Sequence, residues 1–164
     1  MKAITLAIAL SLFATEGVAS DCYSRAGRDY KIDPDLLQAI DFNESSYRDN
    51  AIGTNQSIGY GVGRMQIDSQ NFPHLSQFGI TPEKLIADPC LNIYTGAYYL
   101  AIAFKRWGVN WRAVGAYNAG FSTKKPIHEE LRQVYAKKIY ITYRQIKARK
   151  NQLSIQKDES LASN

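Results

Sequence analysis

The chain has 164 residues, with 20 Lys and Arg against 15 Asp and Glu, a net charge of +5. This length suits one domain and gives no sign of a second. The modest positive balance favours anionic surfaces such as cell-wall polymers, phospholipid heads or nucleic acid without choosing among them. Internal repeats, a phosphate loop, a dinucleotide fingerprint and a nucleophilic Ser or Cys motif are all missing from the sequence, which excludes the function classes that depend on them.

Residues 1–20 read as a secretory signal: Lys2, an apolar run from Ala3 to Ala14, then the small residues Gly17, Ala19 and Ser20, with cleavage expected after Ala19 or Ser20. The run is short for a bilayer span; a retained N-terminal anchor is the alternative. Removing this leader deletes Lys2 and Glu16, one charge of each sign, and leaves the balance unchanged. A short helix is predicted from Cys22 to Tyr30. The next has a marked start, because Asp33 can cap it and Pro34 can be its first residue, and it ends at Glu44. Residues 45–64 are rich in Gly, Asn and Ser and read as a functional loop, with room for at most a small hairpin around Ile58 to Val62. Met65 to Ser69 is expected to open a helical turn. Thr81-Pro82 and Asp88-Pro89 repeat the cap-then-proline signature, starting a short helix and then a long, largely apolar one that reaches Trp107 through the middle of the domain. Asn110 caps a helix that stops at Gly120. A final helix is predicted over Glu129 to Ala148, with Leu131, Val134, Tyr135, Ile139, Tyr143 and Ile146 on one face. Residues 149–164 read as a flexible polar tail, which leaves residues 21–148 as the expected folded domain. The basic residues Lys137, Lys138, Arg144, Lys147, Arg149 and Lys150 read as a solvated face.

Two side-chain patterns carry chemistry. Glu44 lies on the stripe of Leu37 and Ile40, because a helix advances about 100° per residue, so its carboxyl sits beside apolar surface. Desolvation and the negative end of the helix dipole both raise the pKa of such a group, which makes a general acid. The competing reading is a Glu that frays into solvent at a helix end. Cys22 and Cys90 are the only cysteines, and in an oxidising compartment they pair, closing a loop worth about 4 kcal/mol through the unfolded state. Two free buried thiols are the alternative. No Cys-x-x-Cys or paired His accompanies them, so no metal is expected, and His74 and His128 read as ordinary surface or turn residues.

Four segments in order resemble the lytic transglycosylases of the soluble lytic transglycosylase superfamily, whose fold is like that of goose-type lysozyme. They are Ala39-Ile40-Asp41-Phe42-Asn43-Glu44-Ser45, Gly63-Arg64-Met65-Gln66-Ile67, Ala116-Tyr117-Asn118-Ala119-Gly120, and the weaker Tyr135-Ala136-Lys137-Lys138-Ile139. The segment Asp88 to Leu100, the small size and the signal sequence are similar to the specialised transglycosylases of secretion and conjugation machines, above all those of F-like plasmids. The resemblance implies a mainly α, compact lysozyme-like fold with a glycine-rich loop or hairpin beside the site. It implies Glu44 as catalytic residue, and Gln66, Tyr117, Asn118 and Tyr135 as substrate-binding residues. Two departures stand out: Arg64 replaces the usual Leu, and Gly61 stands where secretion-system relatives often carry an assisting Asp, a place that Asp68 or Asp41 could fill. The resemblance further implies a periplasmic monomer without cofactor, metal or specific nucleic acid. It acts on peptidoglycan strands and works with components of a secretion or conjugation apparatus. The expected reaction leaves 1,6-anhydromuramoyl ends. A hydrolytic muramidase and a non-catalytic peptidoglycan-binding adaptor are the rival readings.

Overall fold

A computed structural model describes residues 13–55 and 59–162 of the chain. Helix α1 (Phe13–Tyr30) extends past the predicted Cys22 start, and the first twelve residues of the expected leader lie outside the described residues. Helix α2 (Pro34–Ser45) begins as predicted: the Asp33 side chain accepts a hydrogen bond from the amide of Asp35 at 2.9 Å, and Pro34 opens the first turn, where its missing N–H costs nothing. The same capping chemistry starts α4 (Pro82–Ala87) at Thr81, α5 (Pro89–Trp107) at Asp88 and α6 (Trp111–Ala119) at Asn110, each side chain accepting an amide at the third position. Gly108 and Gly120, both with positive φ, end α5 and α6.

Residues 45–68 hold more structure than the sequence suggests. A three-stranded antiparallel sheet is built from β1 (Ile52–Asn55), β2 (Gly59–Val62) and β3 (Ile67–Asp68), in that order. Gly53 pairs with Gly61 and Ile52 with Val62; on the other side Gly61 pairs with Asp68 and Val62 with Ile67. The predicted helical turn at Met65–Ser69 is therefore wrong. Met65 and Gln66 form a tight corner, Ile67 continues the sheet, and Asp68 caps a single 3₁₀ turn, Ser69–Asn71, before the short α3 (Phe72–Leu75). The local pattern carried no helix stop because Gln66 itself takes a left-handed conformation, φ 48°, which its residue type does not announce.

α5 is the core helix, with Ile93, Ala97 and Leu100 fully buried and α1 and α6 packed against it. Cys22 of α1 is bonded to Cys90 in the first turn of α5, as expected for an oxidising compartment. Helix α7 (Pro126–Ala162) lies against α2 and α6 and is the element the sequence described least well. It starts before Glu129 and continues without a break to Ala162, where a tail was expected, with every side chain from Ala148 onward exposed. Its buried face is Arg132, Tyr135, Ala136, Ile139 and Thr142, whereas Leu131 and Val134 are exposed. The phase is set by Arg132, whose guanidinium donates to the carbonyls of Gly120 at 2.9 Å and Ser122 at 3.1 Å and pairs with Glu129. A buried, fully bonded arginine outweighs two aliphatic side chains in choosing which side faces in. Nor is the basic end of α7 merely solvated: Lys147 pairs with Asp33 and Asp35 at 2.9 Å, and Lys150 pairs with Asp35, clamping α7 to the start of α2. Among the described residues no helix is long and apolar enough to cross a membrane.

Candidate active site

The last turn of α2 brings Glu44 to the interface with α7. Leu37 and Ile40, on the same stripe, are fully buried, so the phase read from the sequence holds, and Glu44 is half-buried rather than frayed into solvent. The helix stops abruptly after it: Ser46 and Tyr47 are both left-handed, with φ 54° and 65°, and the Ser46 amide returns to the carbonyl of Phe42 at 2.9 Å. Two successive non-glycine residues in this region are costly and persist only where surrounding contacts fix them. Here the contacts are visible. Ser45 is buried, its hydroxyl donates to Asp41 at 3.2 Å and accepts from the Arg48 amide at 3.1 Å, and Arg48 donates through Nε to the Ser45 carbonyl at 2.8 Å.

Tyr135 of α7 donates its hydroxyl hydrogen bond to Glu44 Oε1. Burial pushes the Glu44 carboxyl above the ordinary carboxylate range and the nearby Asp41 adds to this, while the Tyr135 bond and Lys138 oppose it. Burial, then, is the largest of these causes, as the sequence reading expected. The Tyr135 ring stacks on that of Tyr117 from α6, centroids 6.4 Å apart and planes 16° apart. Burial, followed by the negative charge of Glu44, holds both phenols well above their usual pKa, so they stay neutral donors. The two rings form a wall beside the acid.

Tyr117 connects this wall to the sheet corner, donating to the Met65 carbonyl at 2.8 Å. The next residue, Gln66, is held by its amide hydrogens, which go to the carbonyls of Gly63 at 2.8 Å and Ala51 at 3.3 Å. Its Oε1 lies over two paired glycines, where an added Cβ would come within 2.2 Å at Gly53 and 2.6 Å at Gly61. Gly61 is thus occupied space: the Gln66 amide fills the place where a side chain at 61 would begin. Both amide hydrogens being used, Gln66 offers an incoming ligand an acceptor only. Asn118 follows Tyr117 and is exposed at the end of α6. Glu44, Tyr135, Tyr117 and, through Met65, Gln66 form one connected cluster; Asn118 lies at its edge.

The two candidate substitutes for the missing acid are held differently. Asp68 sits directly opposite Gly61 and emerges on the same sheet face, but its Oδ1 accepts from the Gln70 amide at 2.8 Å. Asp41 is fully buried and bonded to Tyr23, Arg64 and Ser45. An aromatic cavity of about 370 Å³, lined by Tyr30, His74, Phe78, Tyr94 and Tyr98 among others, includes none of the predicted site residues.

Two supporting residues escaped sequence reading. Asn92, fully buried in α5, accepts from the Met65 amide at 2.8 Å and donates to the carbonyls of Val62 at 2.9 Å and Leu85 at 3.1 Å. It fills the space beside Gly63, φ 73°, where a Cβ would lie 2.1 Å from its amide nitrogen. Gly115 lets α6 meet α7 at backbone distance, since a Cβ there would be 2.3 Å from the Arg132 carbonyl oxygen. A polar residue inside an apolar helix was the available signal for Asn92; Gly115 within a helical pattern was the signal for the second.

Comparison with known proteins agrees with this geometry. The model of the family described as Transglycosylase SLT domain matches residues 21–142. An Escherichia coli protein called X polypeptide is 58% identical over 150 residues, covering 92% of this chain and 88% of the relative. Invasion protein IagB of Salmonella typhimurium is 38% identical over 140 residues, covering 85% and 86%. Protein IpgF of Shigella flexneri is 38% identical over 133 residues, covering 81% and 86%. Among solved structures, an inactive mutant of the lytic transglycosylase Slt from Pseudomonas aeruginosa superposes with a TM-score of 0.62 at 22% identity, covering 80% of this chain and 24% of the other, which supports the fold. With the family model spanning most of the chain, and with relatives of matching length, the protein belongs to the SLT transglycosylase domain family and is a peptidoglycan lytic transglycosylase.

Proposed function

We propose that Glu44 is the acid and then the base of a transglycosylase that cleaves the β-1,4 bond between N-acetylmuramic acid and N-acetylglucosamine. The observation that carries this reading is the half-buried carboxyl of Glu44, raised in pKa by desolvation and aimed by the Tyr135 hydroxyl. Protonated Glu44 donates its proton to the glycosidic oxygen as the bond to the muramoyl C1 breaks. The neighbouring acetamido group stabilises the positive charge developing at that carbon. The Glu44 carboxylate then takes the proton of the muramoyl 6-hydroxyl, whose oxygen closes on C1. The product is a 1,6-anhydromuramoyl end, Glu44 is again protonated and no water is consumed. Acid catalysis of this kind contributes roughly 10² to 10⁴-fold, and the remainder falls to orientation and charge stabilisation.

The single-carboxyl route is supported by Asp41, the anion that acts on the Glu44 pKa, being fully buried and bonded in a cluster. Ordinary glycosidases hold two carboxyl groups across the scissile bond. Tyr117, Tyr135, Gln66 and Asn118 hold the sugar: the tyrosine rings offer apolar faces for a pyranose, and Gln66 accepts a hydrogen bond from an amide or hydroxyl. Mass spectrometry of digested sacculi tests the chemistry. Products lighter by one water than hydrolytic fragments, and lost in Glu44→Gln, are expected; reducing ends would make the protein a muramidase. Binding of sacculi without release of fragments would make it an adaptor, a reading to which a relative from Escherichia coli O157:H7, described as a peptidoglycan-binding-like protein, lends some weight.

The enzyme acts in the periplasm after removal of residues 1–20 and opens the wall locally for a conjugation or type IV secretion apparatus. Support comes from the resemblance over Asp88 to Leu100 and from an invasion protein among the relatives. Loss of plasmid transfer on deletion, restored by wild type and not by Glu44→Gln, tests that role.

A further inference from the structure

Beneath the last turn of α2 lies a charged cluster that bond cleavage itself does not use. Arg64, one of the two departures in sequence, reaches from the end of β2 into the domain with its side chain only 10% exposed. Its Nε donates to Asp41 at 2.6 Å, Nη1 to Asp49 at 2.8 Å and Nη2 to the Tyr23 hydroxyl at 3.0 Å, while Tyr23 itself donates to Asp41. The guanidinium also sits 5.5 Å from the centre of the Tyr47 ring. One side chain therefore ties α1, the inner face of α2 and both sides of the left-handed step that follows Glu44.

A buried pair of this kind is a poor way to add stability, because two apolar residues of similar volume commonly do as well or better. What the cluster does that apolar packing cannot is fix geometry and hold a charge. Asp41 and Glu44 are three residues apart, so they are neighbours on one helix face. Asp41 also orients the hydroxyl of Ser45, the residue after Glu44. We propose that Arg64 is a positioning residue: through Asp41 and Tyr47 it sets the direction in which Glu44 leaves α2 and keeps the Asp41 carboxylate fixed beneath the acid. The inference rests on the reading of Glu44 as that acid.

The groups facing Glu44 are Asp41 on its own helix, Tyr135 and Lys138 from α7 and Tyr117 from α6. Those facing Asp41 are Tyr23 from α1, Arg64 and Ser45. Despite its burial, Arg64 is held above its ordinary pKa by Asp41, so the cation is permanent. Asp41 pushes the Glu44 pKa up, in the same direction as burial.

The test compares pH–rate profiles for release of soluble fragments from purified sacculi, with thermal unfolding recorded in parallel. In the double variant Arg64→Leu/Asp41→Asn both charges are gone and the pocket can repack. The half-point at which kcat falls on the alkaline side is expected to move down by about half a pH unit or more, since a like charge one turn away has been removed. In Arg64→Lys the charge remains, but one ammonium cannot span Asp41, Asp49 and Tyr23 together, so kcat should fall about tenfold with KM unchanged. An unmoved half-point in the double variant, or wild-type kcat in Arg64→Lys, overturns the proposal. Glu44→Gln assayed alongside separates the two levels: inactivity at every pH keeps the acid reading whatever Arg64 does, and retained activity removes that reading itself.

Discussion

Gly115→Ala adds one methyl group at the closest approach of the two helices that carry the tyrosine wall. The new Cβ would lie 2.3 Å from the Arg132 carbonyl oxygen, 2.7 Å from its carbon and 2.8 Å from its Cα. A carbon and an oxygen settle at about 3.3 Å, so α6 and α7 must separate by about 1 Å. The obstruction is backbone within a helix, which cannot rotate aside as a side-chain tip could. Against this stands helix propensity, which favours Ala over Gly by about 1 kcal/mol. Overpacking of a tight contact costs about 1–3 kcal/mol, and here it also stretches the Arg132 bonds to Gly120 and Ser122, so the clash wins. A net loss of about 1–2 kcal/mol lowers Tm by roughly 3–8 °C for a domain of this size. The effect on rate should be larger in proportion. Tyr117 rides on α6 and Tyr135 on α7, and Tyr135 holds Glu44. A displacement of about 1 Å at such a site costs up to about 10²-fold. The assay is fragment release from sacculi well below Tm, with circular dichroism for unfolding. A Tm that rises by a few degrees at unchanged kcat would mean that propensity decides and that the α6–α7 spacing does not govern the site.

Asn92→Ala removes three hydrogen bonds at a fully buried position and leaves the Met65 amide and the carbonyls of Val62 and Leu85 short of partners. Urea unfolding should show a loss of about 2–4 kcal/mol, and a loss below about 1 kcal/mol would show that the corner holds without it. Glu44→Gln should raise stability with pH. The folded carboxyl has a raised pKa, so its contribution is full below the unfolded value and is lost as pH rises through the folded one. The Tm of the variant should match wild type near pH ~4 and exceed it at neutral pH; a constant difference refutes this. Tyr135→Phe removes the hydrogen bond that holds the Glu44 pKa down against burial, so the alkaline fall in kcat should shift to higher pH. A shift to lower pH contradicts the assignment of that bond.

Helix starts were legible because a capping side chain followed by proline is a local device, complete within three or four residues. Asp33-Pro34, Thr81-Pro82 and Asp88-Pro89 all start helices where their chemistry says they should. The stripe of Leu37, Ile40 and Glu44 was legible for the same reason, a known start fixing the phase. The corner at Met65–Gln66 was not, because its cause is remote: Asn92 on α5 satisfies the backbone, and the glycines of β1 and β2 make room for the Gln66 amide. The inward face of α7 was misjudged because apolar periodicity cannot count an arginine whose partners lie in the 120–122 loop. Lys147 and Lys150 were taken for a solvated face because their acidic partners are about 115 residues away in sequence, at the start of α2.

The same remoteness explains the two departures at the site. Considered alone, Gly61 looks like the loss of an assisting carboxylate and Arg64 like a charge in an apolar place. In the fold they belong to β2 and the turn that follows it. Gly61 has no side chain because the amide of Gln66, five residues on, lies in that space and is held there by two carbonyls. Arg64, between them in sequence, turns the other way and carries its charge under α2 to Asp41. The acidic group nearest in effect to Glu44 is therefore reached from its own helix, as a bonded and buried anion, and not from the sheet as a free base. An anion so placed can raise the pKa of Glu44 but, being fully buried and bonded on both oxygens, is closed to a water molecule. On the proposed route, this leaves the substrate's own hydroxyl, and not a water molecule prepared by Asp41, to close the ring.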